Sequence, residues 1–391
     1  MKTDFFFQLA TRLHYGLGKT RGLGDLLKAN GYACCLVLVD NGCAESSAYY
    51  AEILELIKAN SRTVHVETLR GTEEPDYDYL DAVTAAARAL NKVDAVIGIG
   101  GGSCLDIAKA VAVLLTNPGR SIDYRGFDLV KTPGVPTIAI PTTAGTGSEV
   151  TINAVFTDKA QKKKLGINGL HMHATHAFLD AEWTLSCPPS VALSAGLDAV
   201  AHSLESYMCK NANRLIRVFS SQAFLTLYRA LPCLVEEPDN VEMRQEILLG
   251  AYLAAAALFN SGSGIAGALS YPLGVHFKIP HGICGGIFIS AVVKYNVAAG
   301  YQEYAELYDL VANDGETDRQ RKNEVFADLL TDLCRQLNVP RDLSQWGVTP
   351  ERLETILPDI HNLQAAFDQN PVPFSAQRDA VDMLRQHLGR P

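Results

Sequence analysis

The run Gly-Leu-Asp-Ala-Val-Ala-His-Ser-Leu-Glu at 196–205 sets Asp198 and His202 four residues apart. In a helix that spacing puts a carboxylate and an imidazole on one face, where both could grip one metal ion. Well downstream, Pro280-His281-Gly282 offers a third candidate ligand, His281. Alone, Asp198 and His202 read better as an intrahelical ion pair.

Two glycine-rich elements change that balance. Ile97-Gly-Ile-Gly-Gly-Gly-Ser103 follows an apolar strand and leads into a predicted helix over 104–116. Backbone amides in such a turn approach a pyrophosphate, and the helix N-terminus adds favourable partial charge. The same glycines also suit a plain tight turn. The second element, Pro-Thr-Thr-Ala-Gly-Thr-Gly-Ser-Glu-Val at 141–150, again follows a strand. Its hydroxyls suit a phosphate and ribose clamp, or else turns of its own. Two such loops at the carboxyl ends of successive strands favour a dinucleotide.

Asp40 ends the first strand of this pattern, where an acid can bind ribose hydroxyls and repel a 2′-phosphate. That points to NAD over NADP, while a turn at Asp40-Asn41-Gly42 accounts for the residue equally well. Lys164, in a run of three lysines, could reach the cofactor or a substrate anion, or simply be solvated. Metal ligands and a dinucleotide loop together suggest metal-assisted hydride transfer.

The positioning elements are read from hydrophobic period. Strand-like runs at 34–39, 64–66, 95–99 and 137–140 alternate with helical patterns at 46–59, 79–90 and 104–116. Such alternation predicts an α/β layer with a largely parallel sheet. Pro188 and Pro189 then mark a break, and Ser190 or Ser194 would cap the helices beyond it. Helical patterns dominate from there, at 194–209, 214–231, 241–259, 264–276, 283–297, 301–313 and 320–337. The expected organisation is an α/β dinucleotide-binding domain over 1–185 and an all-helical metal and substrate domain over 186–391. No repeat or low-complexity tract interrupts it.

Composition narrows the function classes. A chain of 391 residues is long for one core. A net charge of -9, with no basic run longer than 162–164, argues against nucleic acid as partner. Nine cysteines, an odd number without CxxC pairs, favour reduced thiols and a cytoplasmic location. Phe5-Phe6-Phe7 is too short for a signal sequence, and the apolar stretch at 251–259 is far below membrane-spanning length. No membrane partner is expected.

The combination Gly-Gly-Gly-Ser-Cys-Leu-Asp-Ile-Ala-Lys, Pro-Thr-Thr-Ala-Gly-Thr-Gly-Ser-Glu-Val-Thr, Gly-Leu-Asp-Ala-Val-Ala-His-Ser-Leu-Glu and Tyr-Pro-Leu-Gly…Ile-Pro-His-Gly resembles the iron-containing (group III) alcohol dehydrogenases. The motifs occur in family order, from about residue 10 into the C-terminal helices. The resemblance implies an N-terminal dinucleotide domain, a C-terminal helical domain and a metal in the cleft between them. Carried over by position, it implies Gly100, Gly101, Gly102, Ser103 and Asp106 at the pyrophosphate loop. Thr142, Thr143 and Thr146 would line the nicotinamide side, with Val155 and Lys164 nearby. Asp198, His202 and His281 match three of the family's four metal ligands, and a homodimer is the family-like assembly.

The fourth ligand does not match. The family's histidine fourteen residues before the one in Pro-His-Gly is here Gly267, and its second histidine, four residues later, is Tyr271. The Leu-Ser-Tyr-Pro-Leu…His-Phe…Ile-Pro-His-Gly arrangement looks more like a branch that includes phosphonoacetaldehyde reductases. Three readings are open. The ion, iron or zinc, is held by three residues with water or substrate in the gap. Alternatively His276 or another side chain replaces the imidazole. Or the metal is gone, and Tyr271, helped by His276, is the catalytic acid. His171, His173 and His176 form a further cluster, more readily read as cleft-lining or surface histidines than as ligands.

The expected reaction is hydride transfer between NAD(H) and a small, anionic or neutral, primary alcohol or aldehyde. Tyr271 and His276 would form the substrate wall or relay a proton. Two other readings stand beside it: oxidation of a terminal alcohol on a sugar acid at an altered three-ligand site, and a redox-inactive cofactor-binding protein.

Overall fold

The computed structural model describes residues 2–70, 75–161, 163–312 and 314–389. The chain forms two compact units. One comprises Leu9–Ala192 and Asp239–Leu248; the other comprises Met1–Gln8, Leu193–Pro238 and Leu249–Pro391.

The first unit is the α/β layer. Its elements run β1 (Arg12–Tyr15), α1 (Leu23–Asn30), β2 (Cys34–Asp40), α2 (Asn41–Ser46), α3 (Ala48–Asn60), β3 (Thr63–Leu69) and α4 (Tyr77–Arg88). Beyond these lie β4 (Ala95–Gly100), α5 (Gly102–Leu114), β5 (Gly126–Phe127), β6 (Thr137–Pro141), β7 (Asn153–Asp158), β8 (Lys163–Asn168) and β9 (His176–Leu179). Six strands form one sheet in the order β1-β9-β6-β4-β2-β3, and every pairing in it is parallel. The inner strands β2, β4 and β6 of this parallel sheet are covered on both faces and so are apolar almost throughout, whereas the edge strands β1 and β3 are largely exposed. In β2, Leu36 and Leu38 enter one core with Val96, Ile107 and Val111. The alternate residues Cys35, Val37 and Val39 enter another with Ile53, Ile57, Ile97 and Ile138. Because β3 lies on one side of β2 and β4 on the other, the order reverses there, and ligand sites form at the carboxyl ends of such strands.

The helix expected over 46–59 is present as α3, with the short α2 before it. Two other local readings are corrected. Asp40 does not open a turn: its carboxylate caps α2 by accepting from Cys43 N at 2.7 Å, and Ser47 caps α3 by accepting from Tyr50 N. The strand read at 64–66 is longer, because the polar residues of β3 pair along β2. The small sheet β5-β8-β7 had no counterpart in the hydrophobic pattern, and Lys164 lies in it opposite Thr157.

The second unit contains helices only, among the described residues. They are α6 (Pro189–Met208), α7 (Arg214–Glu236), α8 (Val241–Ser261), α9 (Ile265–Phe277), α10 (His281–Ala298), α11 (Ala305–Val311), α12 (Arg319–Gln336), α13 (Pro350–His361), α14 (Gln364–Phe367) and α15 (Asp379–Gln386). The starts of α6 and α8 belong to the first unit. Helix α6 begins at Pro189 rather than 194, since proline's missing amide hydrogen costs nothing in a first turn. The units therefore do not follow one cut near 185. Gln245 of α8 donates to Leu179 O and accepts from Ala181 N, and Arg244 donates to Thr184 O, which ties this turn to the α/β layer. Helix α7 is long and apolar enough to cross a membrane by length and composition. It nevertheless buries Ile216, Phe224 and Leu227, and Phe224 meets Phe326 of α12 edge-on, as in a core helix.

Among the described residues His171, His173 and His176 form no ligand group, as expected, but His176 is neither at the surface nor in a cleft. His173 Nδ1 lies 2.6 Å from Leu170 O, whereas His176 is buried on β9 with Nδ1 at 3.0 Å from His14 Nε2 on β1. Burial, with the charges of His14 and Arg12, pushes the His176 pKa down to about 4. A folded pKa below the unfolded value of about 6.5 stabilises the neutral form. That stability is complete above the unfolded pKa and is lost as pH falls through the folded one. Urea midpoints should therefore drop between about pH 6.5 and 4, and His176→Gln should flatten the slope in that window.

Candidate metal centre and dinucleotide loops

The glycine turn and the threonine loop lie against each other. Gly100 ends β4, Gly101 is the N-cap of α5, and Thr142 N donates to Gly100 O at 3.0 Å. A Cβ on Gly102 would stand 2.5 Å from Thr146 Oγ1, so only glycine lets the loops approach this closely. Gly101 faces Thr143 Oγ1, and Asp40 Oδ2 lies 2.7 Å from where a Gly100 Cβ would be. Asp40 thus caps α2 with one oxygen and turns the other to the glycine loop, at the strand-order reversal. Gly100, Gly101, Gly102, Ser103, Thr142, Thr143 and Thr146 gather at the carboxyl ends of β4 and β6, facing the N-terminus of a thirteen-residue helix.

Asp106 plays a different part from its loop neighbours. Its carboxylate accepts from Ser148 Oγ and from Val155 N (2.8 Å), and lies 3.5 Å from Lys109 Nζ. Lys109, wholly buried, donates to Thr151 O, Thr151 Oγ1 and Asn153 O. Burial pushes the Asp106 carboxyl up and the Lys109 ammonium down, and their mutual attraction opposes both shifts. The network braces the threonine loop and β7 against α5, so Asp106 and Val155 N are engaged within the protein. Burial also raises Glu149, beside this network, to about 7. Lys109, Ser148 and Glu149 were not singled out by sequence reasoning, although all three lie inside the glycine and threonine motifs.

In the helical unit, Asp198, His202 and His281 bring donor atoms within 4.8 Å of one another. His202 Nε2 is 3.3 Å and His281 Nε2 is 3.6 Å from Asp198 Oδ1. The first two lie one turn apart on α6, and His281 is the first residue of α10. Gly282 makes that junction possible: a Cβ there would lie 1.7 Å from Ser194 O, so the start of α10 rests directly on the α6 backbone. No other group of three such donors occurs among the described residues. The donor set fits a divalent ion of the iron or zinc kind: two imidazoles and a carboxylate leave a position open. His202 Nδ1 is buried without a hydrogen-bond partner, as is Glu205 Oε2 on the same helix face.

Of the remaining candidates, Tyr271 sets its ring edge-on to His281, centroids 5.1 Å apart, and so adjoins the cluster. His276 does not enter it: its Nε2 lies 2.9 Å from Asp359 Oδ2 of α13. Position 267 is occupied from the other side. Gly267 N donates to Glu205 Oε1 at 2.8 Å, and a Cβ at 267 would lie 2.9 Å from Glu205 Oε2.

Both stretches of the chain resemble known proteins. Residues 10–181 match the family model described as iron-containing alcohol dehydrogenase, and 192–388 match the C-terminal model of the Fe-containing alcohol dehydrogenase family. The chain belongs to the iron-containing alcohol dehydrogenases and is an alcohol dehydrogenase-like oxidoreductase. It is 29% identical to the NAD-dependent methanol dehydrogenase of Bacillus methanolicus over 90% of this chain and 92% of that protein. It is 32% identical to the sulfoacetaldehyde reductase of Bilophila wadsworthia over 79% of this chain and 80% of that one. Among solved structures, the sulfoacetaldehyde reductase from Bifidobacterium kashiwanohense in complex with NAD+ shares the fold, with TM-score 0.86, 24% identity and 99% coverage of both chains.

Two glycine variants separate the two parts. Gly102→Ala should weaken NADH binding by about tenfold or more, since the loops must part, and leave metal uptake unchanged. Gly282→Ala should do the reverse, by moving His281 off Asp198. Fluorescence titration of NADH and metal analysis of each purified variant read the two effects.

Proposed function

We propose that the protein transfers a hydride between NAD(H) and a short, anionic primary alcohol or aldehyde, with a divalent ion held by Asp198, His202 and His281. The carrying observation is the convergence of these three donors in a chain that also presents the glycine and threonine loops. When bound, the ion supplies Lewis acidity, lowering the pKa of an alcohol in oxidation or polarising a carbonyl in reduction. The chain's own residues do the rest. The loops after β4 and β6 hold the cofactor's phosphates and nicotinamide, and Asp106 fixes their spacing. Asp40, beside Gly100, selects for a free ribose and hence for NAD. Tyr271, against His281, could donate its phenol proton to the substrate oxygen in reduction, and as the phenolate take up the alcohol's proton in oxidation. His276, tied to Asp359, lies a step further along the same helix and serves as a polar wall or relay. Lys164 would offset the charge of substrate or cofactor.

An anionic substrate is favoured by the identity to a sulfoacetaldehyde reductase, and phosphonoacetaldehyde has the same length and a related charged head. A homodimer in the cytoplasm is the setting we propose. With the ion restored, NADH consumption should be fastest, per unit kcat/KM, with sulfonated or phosphonated acetaldehyde. Neutral aldehydes and sugar-acid aldehydes should trail by about tenfold or more if charge is recognised, a difference of roughly 1.4 kcal/mol. A preference for neutral aldehydes would contradict the anionic reading. Tight NADH binding without turnover of any aldehyde would contradict the enzyme.

A further inference from the structure

We propose that Glu205 is a positioning residue of the ion site: its free oxygen Oε2 takes the Nδ1–H of His202 when Nε2 of that imidazole holds the ion. The inference rests on Asp198, His202 and His281 holding a divalent cation, as proposed above.

Asp198, His202 and Glu205 succeed one another at spacings of four and three on α6, so all three share one helix face. Glu205 is 1% exposed. Its Oε1 accepts from the backbone N–H of Gly267, which fastens the first turn of α9. The other oxygen has no partner, and neither has His202 Nδ1. A neutral imidazole carries one N–H. If Nε2 gives its lone pair to an ion, the hydrogen must sit on Nδ1, where a buried donor without an acceptor is costly. Ligating histidines almost always give that hydrogen to a carboxylate, a carbonyl or water.

Here the orphaned donor and an orphaned acceptor stand one turn apart on one face, and one hydrogen bond removes both defects. Glu205 is not among the residues whose donor atoms already lie within 4.8 Å of each other, so it acts through His202 rather than as a ligand. Gly267 is what leaves the room. Any Cβ there would come within 2.9 Å of Oε2. The position that lacks an imidazole is therefore the one whose emptiness lets a carboxylate strengthen another imidazole, which offsets part of the missing ligand.

The test uses the full chain, stripped with a chelator and titrated with zinc(II) or cobalt(II) alone. Affinity is read by chelator competition and coordination by the cobalt visible spectrum, with NADH binding as the folding control. Glu205→Gln keeps an oxygen for the α9 amide but turns an NH2 toward His202. It should lower ion affinity by about 10- to 100-fold, alter the cobalt spectrum and leave NADH binding unchanged. Gly267→Ala keeps the charge but displaces Oε2, and should lower affinity by roughly tenfold, the lower end of that range. If Glu205→Gln binds zinc like the parent, with the same cobalt spectrum and only a lower thermal midpoint, Glu205 merely fastens α9 and the proposal is overturned. If that variant does not fold, Gly267→Ala decides alone, and an unchanged affinity overturns it. Failure of the parent protein itself to take up ion overturns the three-donor site, an outcome distinct from a parent that binds and variants that bind equally.

Discussion

One carboxylate oxygen organises the helical unit. Asp198 Oδ1 has an imidazole nitrogen on either side, from α6 itself and from the first residue of α10. Asp198 is buried, and a buried carboxylate must be met by donors or by a cation. Much of the local design answers that demand. Gly282 brings α10 onto the α6 backbone so that His281 can reach it, Tyr271 packs against His281, and Glu205, one turn beyond His202, fastens α9. A divalent ion bound there would meet the demand of Asp198.

The α/β unit holds its two loops close together and brings a fixed charge beside them at Asp40, whose second oxygen faces Gly100. The loops touch through backbone and hydroxyls, at Gly100, Gly102, Thr142 and Thr146. The charges that brace them, Asp106 and Lys109, are withdrawn beneath and neutralise one another. Positive potential at the surface is left to the α5 N-terminus.

The parts of this architecture that repeat with a simple period were legible in the sequence. The apolar runs of β2, β4 and β6 and the long helices of the second unit can be read from spacing alone. The glycine and threonine loops, Asp198 and His202 could be located because their chemistry is written in adjacent residues. Other features depend on partners distant in the chain. Nothing local tells that Asp40 caps a helix rather than opening a turn, or that α8 begins in the α/β unit through Gln245 and Arg244. The short strands β7 and β8 bury only a few apolar residues, Ala154 and Phe156 in one and Ile167 in the other, too few for a clear period beside the Lys163 and Lys164 charges. Glu205 closes the 196–205 motif, yet its role rests on the absence of a side chain at Gly267, sixty-two positions later. His276 was read as adjoining the ion site by sequence proximity to His281, but the break between α9 and α10 leaves it paired with Asp359.

The proposed chemistry depends on an ion being held at Asp198, and anomalous diffraction locates ions directly. Crystals grown with zinc(II), measured on both sides of the zinc edge, should show a peak within about 2.0–2.2 Å of an Asp198 oxygen and the Nε2 atoms of His202 and His281. A well-ordered map with no peak there, or with zinc only at His14 and His176, would contradict it.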